Sequence, residues 1–347
     1  MGEETRSLRI LVTGGQGFLG GALVEALVAL GFRNVAATAR REAPHLERLG
    51  VEVVKADLTD RRQAMAATEG REVVFHTAAK AGVWGTESGY HAINVEATRY
   101  LLAGSLNHGV SYFIHTSSPS VTFQGVDSLD ESEEAPYGRQ PLNAYCKTKI
   151  QSEREVLECD GDMRTLALRP HLIYGPGDPH LLPRVFEASR KGRLVRVGDG
   201  RNLVDVTHIV DAVAAHLCAL ARRENPEIWG QAYFITSGEP IELWDWLDRI
   251  LEWKGLSPVR RSVNPGVAAI LARSLESLYR LLGKTEEPPL TYFSALQLGC
   301  HHSYSIEKAR RLLGYEPAID PYQSFQEQFQ ETARDWARLE SIFSEKS

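Results

Sequence analysis

The most constraining feature lies at the start of the chain. Leu8-Arg9-Ile10-Leu11-Val12 reads as a short buried strand, and Gly14, Gly15, Gly17 and Gly20 follow at once. Ala22–Leu30 then reads as a mostly buried helix stopping at Gly31. A strand, a glycine turn and a helix in this order make a site for the pyrophosphate of a dinucleotide. Glycines let the backbone approach phosphate closely, and the helix N-terminus offers free N–H groups and a partial positive charge. The spacing parses in two ways, as Gly15-x-Gly17-x-x-Gly20 or as Gly14-x-x-Gly17-x-x-Gly20. A glycine motif alone is weak evidence, so the rest of the chain has to decide.

The strand–helix rhythm continues. Asn34–Ala39, Val51–Ala56, Glu72–Thr77, Val110–His115 and Thr165–Pro170 read as further strands, separated by helical stretches such as Tyr90–Asn107. Asp60 is placed to cap a short helix, with Gln63 in the capping-box position. Such alternation predicts parallel βαβ units with right-handed crossovers, hence an α/β fold with a Rossmann-like, doubly wound parallel sheet. Beyond Pro179 the rhythm loosens. Helices are expected at 181–190, 208–222, 242–254, 266–282, 305–313 and 321–338, and short strands near 194–197 and 231–235. The chain is therefore divided into a dinucleotide-binding part over 1–178, to which later segments return, and a mainly substrate-binding part over 179–347.

Composition narrows the function classes. With 347 residues, 24% charged and 43% hydrophobic, the chain can bury an ordinary globular core. Its net charge of −6 argues against a nucleic-acid partner held by a basic surface. Cys146, Cys159, Cys218 and Cys300 show no CxxC spacing, which predicts free thiols in a reducing compartment and no metal set. No apolar h-region precedes the first strand, Arg6 breaks a myristoylation motif at Gly2, and no apolar run reaches membrane-spanning length, so a cytoplasmic location is expected.

The chemistry falls on a helix. Tyr145 and Lys149 stand at i and i+4 and share one helix face, just after the Ser-rich end of strand five. A free tyrosine hydroxyl has a pKa of about 10, and a neighbouring ammonium favours the phenolate. In a doubly wound sheet ligands bind at the carboxyl ends of the strands, so Ser118 and this helix face the same crevice as the glycine turn.

Five ordered motifs now carry a family resemblance. They are Thr13-Gly14-Gly15-Gln16-Gly17-Phe18-Leu19-Gly20, His76-Thr77-Ala78-Ala79, Thr116-Ser117-Ser118, Tyr145-x-x-x-Lys149 and Leu168-Arg169-Pro170-x-x-x-Tyr174-Gly175-Pro176-Gly177. In this order they resemble the extended short-chain dehydrogenases/reductases over nearly the whole chain. The resemblance selects the register Gly14, Gly17, Gly20. It implies Tyr145 as general acid/base and Ser118 as hydrogen-bond partner of the reacting oxygen. Lys149 would hold the nicotinamide ribose and lower the tyrosine pKa, and Asn94 would be a structural and relay residue. Cofactor contacts are implied for Gly14, Gly17, Phe18, Leu19, Gly20, Arg40, Asp57, Leu58, Ala78, Ala79, Tyr145, Lys149 and Pro170. Ala97-Thr98 departs from the family's usual Gly-Thr.

The end of strand two discriminates between cofactors. An acidic residue there holds the adenosine ribose of NAD, but this chain has Ala39 followed by Arg40 and Arg41. A carboxylate would repel a 2′-phosphate, whereas a guanidinium binds it in a fork, so NADP(H) is expected over NAD(H), with Arg40 as the contact.

Substrate class rests on departures and matches. Arg169-Pro170-His171 replaces the Tyr-Phe-Asn of sugar-nucleotide epimerases, and Pro119-Ser120 replaces the Asp-Glu of sugar dehydratases. The Arg-Pro-x-x-x-Tyr-Gly-Pro-Gly segment resembles the 3β-hydroxysteroid and sterol-4-carboxylate dehydrogenase branch. Ala79–Gly85, Thr116–Thr122, Gly238-Glu239-Pro240 and Pro288–Thr291 are closer still to the 2-alkyl-3-oxoalkanoate reductases of bacterial olefin biosynthesis. That implies reduction of a 2-alkyl-3-oxo acid to the 3-hydroxy acid, with Lys80, Trp84 and His171 near the substrate. A steroid or sterol-4-carboxylate dehydrogenase, a sugar-nucleotide epimerase and a non-catalytic dinucleotide-binding regulator are the alternatives. The intact Tyr145–Lys149 pair argues against the last. Residues 266–282 carry an apolar stripe (Val267, Ile270, Leu271, Leu275, Leu278, Leu282) that predicts an amphipathic helix packed on the core. The alternatives are a lid over an acyl-chain channel or a helix on a membrane surface. A homodimer is implied by the family alone, and contact with a membrane or with a pathway enzyme stays open.

Overall fold

The computed structural model describes residues 2–324 and 336–343. Seven parallel strands form the central sheet: β1 (Arg9–Thr13), β2 (Asn34–Ala39), β3 (Glu52–Lys55), β4 (Val73–His76), β5 (Tyr112–Thr116), β6 (Arg164–Pro170) and β7 (Gln231–Ile235). Their order is β7-β6-β5-β4-β1-β2-β3, so the direction of winding reverses between β1 and β4. Register aligns Thr13 with His76, His76 with His115, Thr116 with Leu168, and Pro170 with Ile235. The carboxyl ends of the strands therefore open along one edge of the sheet, the ligand crevice of such folds.

Both sheet faces are covered because the strands are apolar on both sides. On one face lie α1 (Phe18–Ala29) and, from the second half of the chain, α4 (Ile209–Ala221), which is buried almost all round. On the other lie α2 (Ala97–Asn107) and α3 (Ala144–Glu158). The expected helix over 90–107 is longer and interrupted: Glu87–His91 and α2 are joined by a π-helical turn, Ala92–Glu96. Asp60 caps its helix by accepting from the Gln63 N–H at 3.0 Å. The Gln63 side chain instead accepts from the Asp57 N–H, so no reciprocal capping box forms.

The later chain builds a second core around Trp244, Trp246, Leu247, Ile250 and Leu251 of α5 (Leu243–Trp253). A small sheet orders Ile241–Glu242, Leu203–Val204, His302–Tyr304 and Ser128–Glu131 side by side. Ser128–Glu131 lies inside the turn-rich loop 124–141 and pairs with a strand far away in sequence, which is why local composition hid it. The helix Tyr292–Gly299 was likewise unexpected. The helix expected over 321–338 falls mostly outside the described residues.

α6 (Pro265–Leu281) departs furthest from expectation. Only Ala268 and Ala272 are buried, whereas Val267, Ile270, Leu271, Leu278, Leu281 and Leu282 are exposed. The helix packs on the protein through its small residues and turns its apolar stripe outward. Among the described residues no helix is long and apolar enough to cross a membrane.

Candidate active site

The glycine turn closes under steric pressure from three sides. Gly14 has φ +69°, and a Cβ there would come within 3.0 Å of the Ala78 Cα. A Cβ on Gly20 would stand 2.4 Å from the Gly14 carbonyl oxygen, so α1 can seat against the turn only without a side chain there. Gly17 is the N-cap of α1 and provides no side-chain cap, leaving first-turn N–H groups directed at the crevice. This geometry agrees with the Gly14, Gly17, Gly20 register. Gly15 is also forced, since its Cβ would meet that of Ala37 at 2.6 Å. A cradle without side chains at an uncapped helix start fits a pyrophosphate.

Arg40 and Asp57 follow the ends of β2 and β3, both exposed, with Arg40 near enough to act on the Asp57 charge. The Asp57 carboxyl is held below its usual range, first by the Thr59 hydroxyl, then by the Thr59 N–H, with Arg40 adding attraction. Leu58 is half-buried beside it, and Ala39 is buried.

After β4 the chain is pinned by hydroxyls. The Ala78 N–H donates to Thr13 Oγ1 (3.1 Å), Thr77 Oγ1 donates to the Thr13 carbonyl (2.6 Å), and His76 bridges Thr13 and Thr98 at 2.9 Å each. Ala79 is exposed at the crevice. Asn94, buried in the π-turn, accepts from the Lys80 N–H (2.7 Å) and donates to the Lys80 carbonyl (3.2 Å) and to Thr148 Oγ1 (3.1 Å). One side chain thus ties the β4 loop to α3. Thr148, one residue before Lys149, was not expected in this role.

Asn143 caps α3 by accepting from the Cys146 N–H at 2.8 Å, which starts the helix directly before Tyr145. Tyr145 and Ser118 are hydrogen-bonded. Burial pushes the Tyr145 phenol up to about 12, the Ser118 hydrogen bond opposing it. Lys149 is buried, donates to the Thr116 carbonyl at 2.6 Å and lies 3.4 Å from His115 Nε2. Desolvation lowers its ammonium to about 8. The expected depression of the tyrosine pKa by Lys149 is therefore corrected. The ammonium is drawn to the end of β5, and the phenol stays a neutral proton donor near pH 7.

His171 is also corrected. It is buried, its Nε2 lies 2.9 Å from His302 Nδ1, and desolvation holds its pKa well below the usual histidine value. A neutral imidazole, buried and hydrogen-bonded to His302, offers a carboxylate no positive charge. Lys80 stands differently. Its ammonium rests 4.7 Å from the Tyr90 ring centre, Tyr90 meets Tyr145 edge-on at 6.3 Å, and among the described residues Lys80 makes no ion pair. Trp84 meets Tyr279 of α6 edge-on at 6.5 Å, at the outer lip of the same loop. Pro170 ends β6, buried against β7. An apolar cluster of Phe123, Cys146 and Phe293, with Val83, Leu142 and Leu296 packed on it, adjoins Tyr145 through the start of α3. Its members come from four separated segments, and only long-range folding unites them.

A nucleotide cradle, a Ser–Tyr pair and a lysine one helical turn on make this an oxidoreductase site of the short-chain dehydrogenase/reductase type that uses a nicotinamide dinucleotide. A sequence model described as the 3-beta hydroxysteroid dehydrogenase/isomerase family matches residues 11–263, and the chain belongs to that family. It is 41% identical over 316 residues to 2-alkyl-3-oxoalkanoate reductase of Stenotrophomonas maltophilia (strain K279a), covering 90% of this chain and 96% of the relative. It is 32% identical over 324 residues to the sterol-4-alpha-carboxylate 3-dehydrogenase, decarboxylating, of Mus musculus, covering 91% and 89%. Among solved structures, a short-chain dehydrogenase/reductase superfamily protein from Agrobacterium tumefaciens with bound NAD superposes with TM-score 0.70 at 25% identity, covering 95% of this chain and 97% of that one. UDP-glucuronic acid 4-epimerase from Bacillus cereus in complex with NAD gives TM-score 0.71 at 22% identity, covering 93% and 95%, a likeness of fold alone.

Proposed function

We propose that this protein reduces the ketone of a 2-alkyl-3-oxoalkanoic acid to the 3-hydroxy acid with NADPH. The observation that carries the reading is the 41% identity along 96% of the Stenotrophomonas reductase. The bound cofactor supplies a hydride to the carbonyl carbon. The remaining work belongs to the chain. Ser118 steadies the carbonyl oxygen, and Tyr145, protonated well above neutrality, gives that oxygen its proton. Lys149 orients the nicotinamide ribose, and Asn94 keeps the β4 loop and α3 in register. Lys80, whose ammonium rests on the Tyr90 ring, takes the substrate carboxylate, while Trp84 and the Phe123–Phe293 cluster receive the alkyl arms. The chain after Pro179 supplies the substrate side of the crevice.

Arg40, exposed beside Asp57 with no carboxylate at position 39, selects the 2′-phosphate of NADP(H). Four free cysteines fit a reducing cytoplasm, and the homodimer implied by the family is checked by analytical ultracentrifugation.

The test follows NADPH absorbance with racemic 2-alkyl-3-oxo acids, 4-carboxysterols and nucleotide sugars in parallel. Turnover of the oxo acids is expected. The relation to the sterol-4-alpha-carboxylate dehydrogenase favours the sterol as second reading, and sterol turnover alone would establish it. Activity on nucleotide sugars alone overturns both, and a tenfold preference for NADH overturns the role given to Arg40.

A further inference from the structure

We propose that His115 is a positioning residue for Lys149: its imidazole and the Thr116 carbonyl together set the direction of the one N–H that the lysine keeps for the cofactor. The first observation is the set of acceptors around the ammonium. Lys149 donates to the Thr116 carbonyl at 2.6 Å and to His115 Nε2 at 3.4 Å, and among the described residues it makes no ion pair. Glu153, one helical turn on, is committed to Arg169 and Tyr137. An ammonium carries three N–H donors in a tetrahedral array. With two of them held by consecutive residues of β5, the third has a defined direction.

Only one tautomer of His115 serves this bond. Lys149 brings donors alone, so His115 Nε2 accepts, and a neutral ring then carries its proton on Nδ1. Burial keeps the ring neutral, with Lys149, His76 and His216 acting in the same direction, so its pKa lies well below the usual histidine value. Yet Nδ1 is buried and has no partner among the described residues. A buried donor without a partner is destabilising, and an apolar ring of similar shape would avoid that penalty. The neighbouring histidines differ. His76 uses both ring nitrogens, on Thr13 and Thr98 at 2.9 Å each, and His216 uses both, on Thr116 Oγ1 at 2.8 Å and the Ala212 carbonyl at 2.7 Å. Of the three, His115 alone leaves one nitrogen idle, and its other nitrogen faces the lysine.

The second acceptor is held from behind. His216 donates from Nδ1 to the Ala212 carbonyl, so its Nε2 accepts from the Thr116 hydroxyl and anchors the residue whose carbonyl receives Lys149. The titratable groups around the ammonium are Glu153 of α3, His115 of β5 and His76 of β4, with Arg169 of β6 behind Glu153 and His216 of α4 behind His115. Burial keeps the three histidines neutral, and Glu153 favours the charged lysine. The use of the third N–H, on the nicotinamide ribose, rests on the function proposed above; the His115–Lys149 hydrogen bond does not.

The experiment titrates the full-length protein with NADPH, and with NADH in parallel, by nucleotide fluorescence from about pH 6.5 to about 9.5, with no substrate present. Wild-type affinity is expected to fall above about pH 8 as the ammonium deprotonates. His115→Phe removes the acceptor, and His115→Asn ends one atom short of Nε2. In both, the alkaline limb should move down by about one pH unit, a loss of about fivefold in affinity at pH 8. His115→Gln, whose Oε1 reaches the ammonium, should return the limb to its wild-type position. The melting temperature of His115→Phe without cofactor should stay level or rise, because the unmet Nδ1 donor is gone. An unmoved limb in the phenylalanine and asparagine variants overturns the proposal, as does a limb that moves equally with glutamine. Lys149→Met tests the reading beneath it. Affinity indifferent to that change overturns the ribose role and the proposal together, whereas a loss there with no shift in the His115 variants overturns the proposal alone.

Discussion

Tyr145 carries the proton only if its environment keeps it neutral, and burial does that. With the phenol at about 12 and the Lys149 ammonium at about 8, the lysine titrates first. The kcat/KM for NADPH is expected to fall above about pH 8, as Lys149 loses the charge with which it positions the ribose, while the tyrosine stays protonated. A profile of the Lys149→Arg variant checks the assignment, because its alkaline limb moves upward or disappears. Linkage gives a matching sign for stability. The folded-state pKa of Lys149 lies below its unfolded value near 10.4, so between about pH 8 and 10.4 the unfolded chain binds more protons. The contribution of this group to stability therefore rises with pH through that window and is flat below it. Tyr145→Phe removes the proton donor and leaves the packing, so turnover should fall by about 10²–10⁴ with little change in cofactor affinity. Retained turnover with the phenylalanine would refute the role of Tyr145.

At the scale of elements, two side chains tie helices to strands. Asn94 satisfies both backbone groups of Lys80 and reaches Thr148, so Asn94→Ala takes the partner from the part-buried Lys80 N–H and carbonyl, while Thr148 keeps its bond to the Ala144 carbonyl. A loss of about 1–3 kcal/mol is expected in denaturant unfolding, with a larger fall in turnover as the β4 loop slackens. Arg169 of β6 and Glu153 of α3 form an ion pair at 2.5 Å, with side chains 4% and 0% exposed. Removing one partner strands a buried charge. Glu153→Ala should cost about 3–5 kcal/mol, and a Glu153→Leu/Arg169→Met pair should recover most of it, as chemical denaturation of the single and double variants will show.

For the whole molecule, the cofactor is joined to folding by mass action. The crevice is built from the ends of β1 to β5, which exist together only in the folded chain. At about 100 times its dissociation constant a dinucleotide stabilises by ~2.7 kcal/mol, a rise in Tm of ~4 °C for a chain of this size. If Arg40 grips the 2′-phosphate, NADPH raises Tm by this amount and equimolar NADH by much less. Equal shifts in differential scanning fluorimetry would remove that selectivity from Arg40.

By itself the sequence determined the central sheet and the order of Ser118, Tyr145 and Lys149, while the glycine register came from the family resemblance. The first two depend on short-range rules: apolar runs and i, i+4 spacing on one helix face. The tertiary structure alone decided where the charges and apolar groups point. Lys149 was legible as a partner of Tyr145, but its ammonium turns to the Thr116 carbonyl, a contact between α3 and the end of β5. His171 read as a residue near the substrate and became a neutral member of a buried pair with His302, 131 residues away. The stripe on 266–282 was plain as a pattern, yet periodicity says only that one helix face is apolar. Whether that face meets the core or the outside depends on what else packs there, and here Ala268 and Ala272 took the inner side because small residues let the helix approach closely.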